Sequence, residues 1–419
     1  MSKKSIPRMI SADENGEIFE DPELLMLLRQ GEGFVPPRPD ELIPLPADSD
    51  LFLLPGRKAI GLDPQRGTVM ATDSLAVAGF ASPGHTLAGT AAYITDSEAP
   101  DLPLYAYGAI GYMHDQFWIA ARKVDKDMRQ VFSPELLQSI PGKVRNLIKK
   151  YPRNRLIQHL THCALNSCCP AARNLALGRF EAPLPTSRNC NARCVGCISF
   201  QPAGSSFQST QDRISFTPTV EEVAEVMLAH GSRVKKPILS FGQGCEGEPL
   251  TMADLICNAV AKVRKKIPKA TININTNGSM PDHVEDLALA GVDSFRVSLN
   301  SADPDLYSRY YKPVNYNFSQ VQDFILKAKK HDCFVSLNLL YFPGITDTES
   351  EIDSMTRLIS DTKLDYIQMR NLNLDPEIYL HLMQNKDFGP QTGLLNYMKR
   401  LKKECPWIEY GYFNPYLGR

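Results

Sequence analysis

The chain predicts an α/β fold built from parallel strands, and three observations carry that prediction. From about residue 181, short apolar runs alternate with helical stretches. The helical stretches open on start signals. The polar and glycine-rich segments fall where the apolar runs end. Strand-like runs separated by helices imply right-handed βα units on a parallel sheet, either an open doubly wound sheet or part of a barrel. In both, ligands gather at the C-terminal edge of the strands.

Composition bounds the rest. A chain of 419 residues exceeds one ordinary core, and its 43% apolar content fills a packed interior. The net charge of −1 gives no global pull toward nucleic acid or anionic membrane. The basic runs at 143–155 and 262–269 read as solvated helix faces, and a nucleic-acid partner is not expected. No apolar run reaches the roughly 20 residues of a membrane span, and no signal-peptide core follows the first ten residues. Ten cysteines without such a signal point to the cytoplasm, where thiols serve as metal ligands or core residues.

Residues 1–46, rich in proline around Pro36, Pro37 and Pro39, read as an extended arm or linker. Residues 47–132 alternate short apolar runs with Gly, Pro and Asp, as a small β-rich domain does, with a hairpin around His114-Asp115. No chemistry is visible there. Residues 133–180 read as a helical connector. It starts at Ser133, is interrupted at Pro141, and continues as helices from Asn154 to about Leu165 and from Pro170 to Gly178. The core, 181–375, places strands ending near Arg188 and at Pro237–Phe241, Ala270–Thr276, Ser294–Leu299, Phe334–Tyr341 and Leu364–Met369. Thr219 with Glu222, and Thr251 with Asp254, form capping-box patterns before two of the helices. Residues 376–419 hold a helix over Gln391–Lys403 and an aromatic tail of Tyr410, Tyr412, Phe413 and Tyr416, which reads as cover for a core edge.

The chemistry centres on Cys190, Cys194 and Cys197, a C-x3-C-x2-C motif directly after the first strand. Three thiolates are one short of a closed zinc site, but they suit an iron–sulfur cube with one open iron. After the second strand, Gly242, Gly244 and Gly247 match the G-x-G-x-x-G dinucleotide fingerprint. Glu246 and Glu248 would repel a pyrophosphate there. Pro249 and Thr251 start the helix too late, and the next strand ends in Asn275-Thr276-Asn277 without an acid for a ribose. A nicotinamide oxidoreductase and a zinc-stabilised binding module therefore stand as the alternatives.

The cysteine motif resembles the signature of the radical S-adenosylmethionine (SAM) superfamily. Gly247-Glu248-Pro249 resembles that family's second-strand GGEP motif, which receives the methionyl ammonium. Thr276-Asn277-Gly278, Val297 to Ser301, the turn Phe342 to Asp347, and Gln368-Met369-Arg370 match later strand-end patterns, in the manner of the molybdopterin-precursor cyclase and activating-enzyme type. The resemblance covers about residues 181–375. It implies a partial (β/α)6 TIM-like barrel, a [4Fe–4S] cluster on Cys190, Cys194 and Cys197, and SAM held by Gly247, Glu248, Pro249, Thr276, Asn277, Ser298, Asn300 and Gln368. It further implies reductive cleavage of SAM to a 5′-deoxyadenosyl radical, hydrogen abstraction from an unidentified small-molecule or macromolecular substrate, and an electron donor such as flavodoxin or ferredoxin. No catalytic residue is assigned.

Two positions depart from the family. Gly196 stands where an aromatic usually precedes the third cysteine, leaving Ile198 or Phe200 to wall the adenine. Ser336 stands where the cyclase type often has a lysine, leaving Thr276, Ser298 or Arg296 for a carboxylate. Cys245 reads as a small buried residue. Cys163, Cys168 and Cys169, with His159 and His162 nearby, are candidates for a second iron–sulfur cluster, with Cys169 at a helix N-terminus that would favour its thiolate.

Overall fold

A computed structural model describes residues 6–418. Its organising element is a seven-stranded parallel sheet: Glu181–Pro183, Ile238–Phe241, Thr271–Thr276, Ser294–Leu299, Phe334–Tyr341, Tyr366–Asn371 and Glu409–Gly411. The strands pair in sequence order, first to seventh, and every pairing is parallel. Winding in one direction is the path of a barrel wall. A doubly wound sheet would reverse its order partway. The sheet therefore resolves the two alternatives in favour of a partial TIM-like barrel, with one more strand than the six expected.

Helices join the strands. Val220–Gly231 opens on the expected capping box, in which Thr219 Oγ1 accepts from Glu222 N and the Glu222 carboxylate accepts from Thr219 N. The second expected box does not form. Thr251 Oγ1 donates to the carbonyl of Glu248 at 2.8 Å, so a single 3₁₀ turn at Pro249–Met252 precedes the helix Ala253–Arg264. Between these strands and helices lies one continuous apolar core, with Leu239, Ile272, Val297, Leu337 and Ile367 fully buried.

The N-terminal part differs most from expectation. Residues 8–46, read above as an arm or linker, supply strands. Arg8–Ala12 and Ile18–Leu25 join a nine-stranded antiparallel sheet with the long pair Asp50–Asp63 and Thr68–Phe80. Leu28–Gln30 and Gly33–Val35 form a small sheet with Thr90–Ala91. Met9, Ile10, Ala12 and Leu28 are buried, and that burial holds this polar, proline-containing stretch in place. Residues 1–5 of the expected arm lie outside the described residues. The hairpin forms as expected, Ile110–Met113 against Gln116–Lys123, with His114 and Asp115 at φ +54° and +57°, a type I′ turn.

The connector forms three helices, Pro134–Lys150, Arg155–Leu165 and Pro170–Leu177. Pro141 does not interrupt the first. Both it and Leu137, whose carbonyl loses its donor, are exposed, so water can satisfy that carbonyl. The β-rich part seats on the fifth and sixth barrel strands. Gly31 N donates to Pro343 O, Thr86 Oγ1 to Met369 O and Leu87 N to Asn371 Oδ1. Arg57 and Asp375 form a fully buried ion pair at 2.8 Å across the same boundary.

Candidate active site

The cysteine loop leaves the C-terminal edge of the first strand and lies over a cavity of ≈ 510 Å³. Cys190, Cys194 and Cys197 all line it. The loop is pinned from below by Asn189, whose carbonyl accepts from Glu248 N at 2.8 Å, and by Ser187, whose carbonyl accepts from Gly247 N at 2.8 Å. On its other side Val195 N donates to Tyr310 O, and Arg193 N to Tyr311 O. The loop is thus hydrogen-bonded to the second-strand loop and to the helix Pro304–Tyr311.

The donor set fits an iron–sulfur cluster. Burial, and then the neighbouring Glu248 carboxylate, push the Cys190 thiol up to about 11. Burial and the other two sulfurs hold Cys194 well above the ordinary thiol range. Three thiolates packed this way repel one another and need metal charge to coexist. Arg213 Nη2 already approaches Cys197 Sγ at 3.6 Å. Three thiolates leave a closed tetrahedral zinc site one ligand short, so the donor set does not favour the zinc module.

Glu248 faces the same cavity and is held from three sides. Its Oε1 accepts from Thr276 Oγ1 at 2.6 Å and Leu250 N at 3.1 Å, and its Oε2 accepts from Asn277 N at 2.8 Å. Burial raises its pKa to about 7, against those three donors. A buried carboxylate without a cationic partner is suited to an incoming ammonium. Glu246 points the other way, into its own loop. It accepts from the backbone amides of Thr186, Ser187 and Gly242. A glutamate thus fills the nest in which a dinucleotide would place its phosphate. A Cβ at Gly242, whose φ is +73°, would stand 1.8 Å from Asn275 O, and one at Gly247 would stand 2.0 Å from Asn189 O. These glycines are required by contacts within the protein, and the nicotinamide alternative is not supported.

Of the expected SAM ligands, Gly247, Glu248, Pro249, Thr276, Asn277 and Ser298 line the cavity. Two do not. Asn300 is buried, donating to Leu306 O at 3.2 Å and Tyr379 Oη at 3.3 Å. Gln368 is consumed inside the barrel, donating to Asn414 Oδ1 at 2.8 Å and accepting from Arg296 Nη1 at 3.1 Å. Both satisfy interior polar groups.

Gly196 has a local explanation. A Cβ there would meet Tyr310 Oη at 2.6 Å, so a ring from a neighbouring helix takes the space of the usual aromatic. Tyr310 and Tyr311 line the cavity, as does Ile198. Phe200 is 56% exposed and stacks under Arg213, so it is no wall. The sequence reading missed these tyrosines, and the adjacent pair Tyr310-Tyr311 was the available signal. It also missed Phe80, Leu104 and Tyr105, through which the β-rich part contributes to the cavity.

Of the three candidate cysteines, Cys163 and Cys169 lie near each other and near Cys245, and Cys168 is set apart from them. Cys168 is exposed at φ +51°, whereas Cys163 and Cys169 are buried. The Cys163 thiol is lowered by hydrogen bonds with Cys245 and His159, the latter at 3.6 Å. Cys169 sits at the N-cap of its helix, where burial outweighs the lowering by the amides of Ala171 and Ala172 and raises its thiol. Cys245 is the small buried residue expected.

Comparison with known proteins agrees with this geometry. The family model of the Radical SAM superfamily matches residues 184–356. GTP 3′,8-cyclase of Petrotoga mobilis is 25% identical over 209 residues, covering 49% of this chain and 55% of that protein. The FeMo cofactor biosynthesis protein NifB of Chlorobaculum tepidum is 22% identical over 181 residues, covering 39% and 41%. The chain spans about half the length, or less, of these curated relatives. Among solved structures, the FeFe-hydrogenase maturase HydG from Carboxydothermus hydrogenoformans aligns with a TM-score of 0.39 at 12% identity, covering 68% of this chain and 71% of that one. With the cysteine loop, the buried Glu248 and the sequential parallel sheet in place, the match over 184–356 means that this chain carries a radical SAM domain.

Proposed function

We propose that the chain is a radical SAM enzyme that cleaves SAM reductively and abstracts hydrogen from a substrate. The observation that carries the reading is the three-cysteine loop standing over the same cavity as the buried Glu248. Cys190, Cys194 and Cys197 would hold a [4Fe–4S] cluster, which would supply the electron for reductive cleavage of SAM. The residues of this chain do the positioning. Glu248, fixed by Thr276 and Asn277, receives the methionyl ammonium. Tyr310, Tyr311 and Ile198 supply apolar wall for the adenine, and Ser298 a hydroxyl. Phe80, Leu104 and Tyr105 shield the cavity from water on the side of the β-rich part.

Cys190 also borders a second cavity of ≈ 490 Å³, lined by Ser279, Met280 and Val314 among others. A small electron donor such as flavodoxin or ferredoxin would reach the cluster from that side, in a cytoplasmic setting. Among the described residues no helix is long and apolar enough to cross a membrane. The test is anaerobic reconstitution with iron, sulfide and reductant. The wild type should form 5′-deoxyadenosine from SAM without added substrate, and Cys194→Ala should form none. Tetrahedral zinc in place of iron, or SAM left intact by the fully reconstituted wild type, refutes the reading.

A further inference from the structure

Below the cysteine loop, the main cavity runs into a small polar one of ≈ 60 Å³. Gln130, Ala171, Gln243, Arg296 and Arg370 line both. Three guanidinium groups border the small cavity, and only one is neutralised. Arg129 pairs with Asp127 at 2.7 Å and Glu181 at 3.2 Å. Glu181 has no capacity to spare, since its other oxygen accepts from Gln243 Nε2 at 3.0 Å and Asn414 Nδ2 at 2.8 Å.

Among the described residues neither Arg296 nor Arg370 forms an ion pair with a carboxylate; Glu181, already paired with Arg129, reaches Arg296 only as a more distant charge. Arg296, on the fourth strand, makes one hydrogen bond, to the neutral Gln368, and its buried Nε has no partner. Arg370, on the sixth strand, donates to the Tyr412 carbonyl at 3.1 Å and stacks on the Tyr412 ring at 4.0 Å. Burial, and then Arg370 itself, lower the Arg296 pKa to about 10. Two cations facing one interior space are costly unless an anion joins them. The remaining cavity carboxylates do not fill that role. Glu246 is committed to backbone amides, and Glu248 is held by Thr276 and Asn277 at the cofactor end.

We infer that the substrate carries an oxyanion, a carboxylate or a single phosphate, which docks between Arg296 and Arg370. This rests on the radical SAM reading and adds the class of substrate. The pocket size favours a compact planar or tetrahedral anion, and two guanidinium forks match its paired oxygens. The anion would anchor the substrate from below while the radical forms above it.

The test uses the full chain with its cluster reconstituted and SAM saturating. Oxalate and inorganic phosphate serve as probes in titration calorimetry. The wild type should bind at least one of them saturably, and the tighter one names the anion. Arg296→Gln and Arg370→Gln should each weaken that binding tenfold or more, while SAM affinity stays within twofold. Arg296→Gln should melt no lower than wild type, because it removes an unpaired buried charge.

A tenfold loss of SAM affinity in Arg296→Gln would assign the arginine to the cofactor's own carboxylate and overturn the inference. So would unchanged probe binding in both variants, no saturable binding by the wild type, or a clear drop in melting temperature, which marks a structural arginine. The two readings fail separately. Oxyanion binding without any 5′-deoxyadenosine sinks the enzymatic reading alone, whereas SAM cleavage without oxyanion binding sinks this one.

Discussion

Adding a single methyl group at Gly247 should impair cluster assembly. A Cβ at that position would lie 2.0 Å from the carbonyl oxygen of Asn189 and 2.5 Å from its carbon. Unstrained contacts between such atoms are about 3.5 Å, so the two loops must part by more than about 1 Å. No rotamer change relieves this, because both partners are backbone. Separation breaks the Gly247 N–Ser187 O and Glu248 N–Asn189 O hydrogen bonds, both 2.8 Å. Two lost bonds cost about 1 kcal/mol each, and overpacking adds about 1–3 kcal/mol. Asn189 directly precedes Cys190, so the displacement reaches the first cluster ligand. Gly247→Ala should lose about 3–5 kcal/mol in urea unfolding. After anaerobic reconstitution it should retain well under half of the wild-type iron and visible absorbance. Wild-type iron content with an unchanged unfolding midpoint would show that this close approach is not what the glycine serves.

Glu248→Gln should keep the cluster but bind SAM at least about tenfold more weakly, the loss expected for one charge-assisted hydrogen bond, and equilibrium dialysis reads it. Arg57→Ala should destabilise the protein by about 3–5 kcal/mol because it strands buried Asp375. The double variant Arg57→Met with Asp375→Leu should recover much of that by chemical denaturation. His230 is buried, donates its Nε2–H to Phe180 O at 3.1 Å, and has its pKa lowered from 6.5 to about 4 by burial. Its stabilising contribution is complete above pH 6.5 and is lost as pH falls toward 4, because the unfolded chain takes the proton first. His230→Gln should flatten the fall in urea midpoint between pH 6.5 and pH 4, and a slope equal to wild type would exclude this histidine as its source.

The legible parts of the fold were those with long buried runs. Ser294–Leu299 and Phe334–Tyr341 form at the residues expected, because six or more residues of alternating or continuous burial leave a readable period. The first and seventh strands, EAP and EYG, have three residues each and no period to read. Ile18–Leu25 contains Pro22 and four exposed residues, so it read as linker until its partners, far apart in sequence, were known. In the site, the cysteine loop and Glu248 were legible because their chemistry is local and spaced. Asn300 and Gln368 stand off the cavity, and an amide on an inward-facing strand position has the same sequence signature whether it faces a ligand or bonds to Tyr379 and Asn414. The convergence of Arg296 and Arg370 depends on strand register, which no short window contains.

Asn414 joins parts of the barrel that are distant in sequence. Its amide donates to Glu181 on the first strand and to Ser240 on the second, and its carbonyl oxygen accepts from Gln368 on the sixth. A chain emerging from the ribosome presents the cysteine loop more than two hundred residues before Asn414 becomes available to tie those strands together. The thiolates are therefore made well before the pocket that shelters them can close. Delivery of iron and sulfide must then either wait for synthesis to pass residue 414 or act on an unfinished barrel with its oxygen-sensitive ligands uncovered.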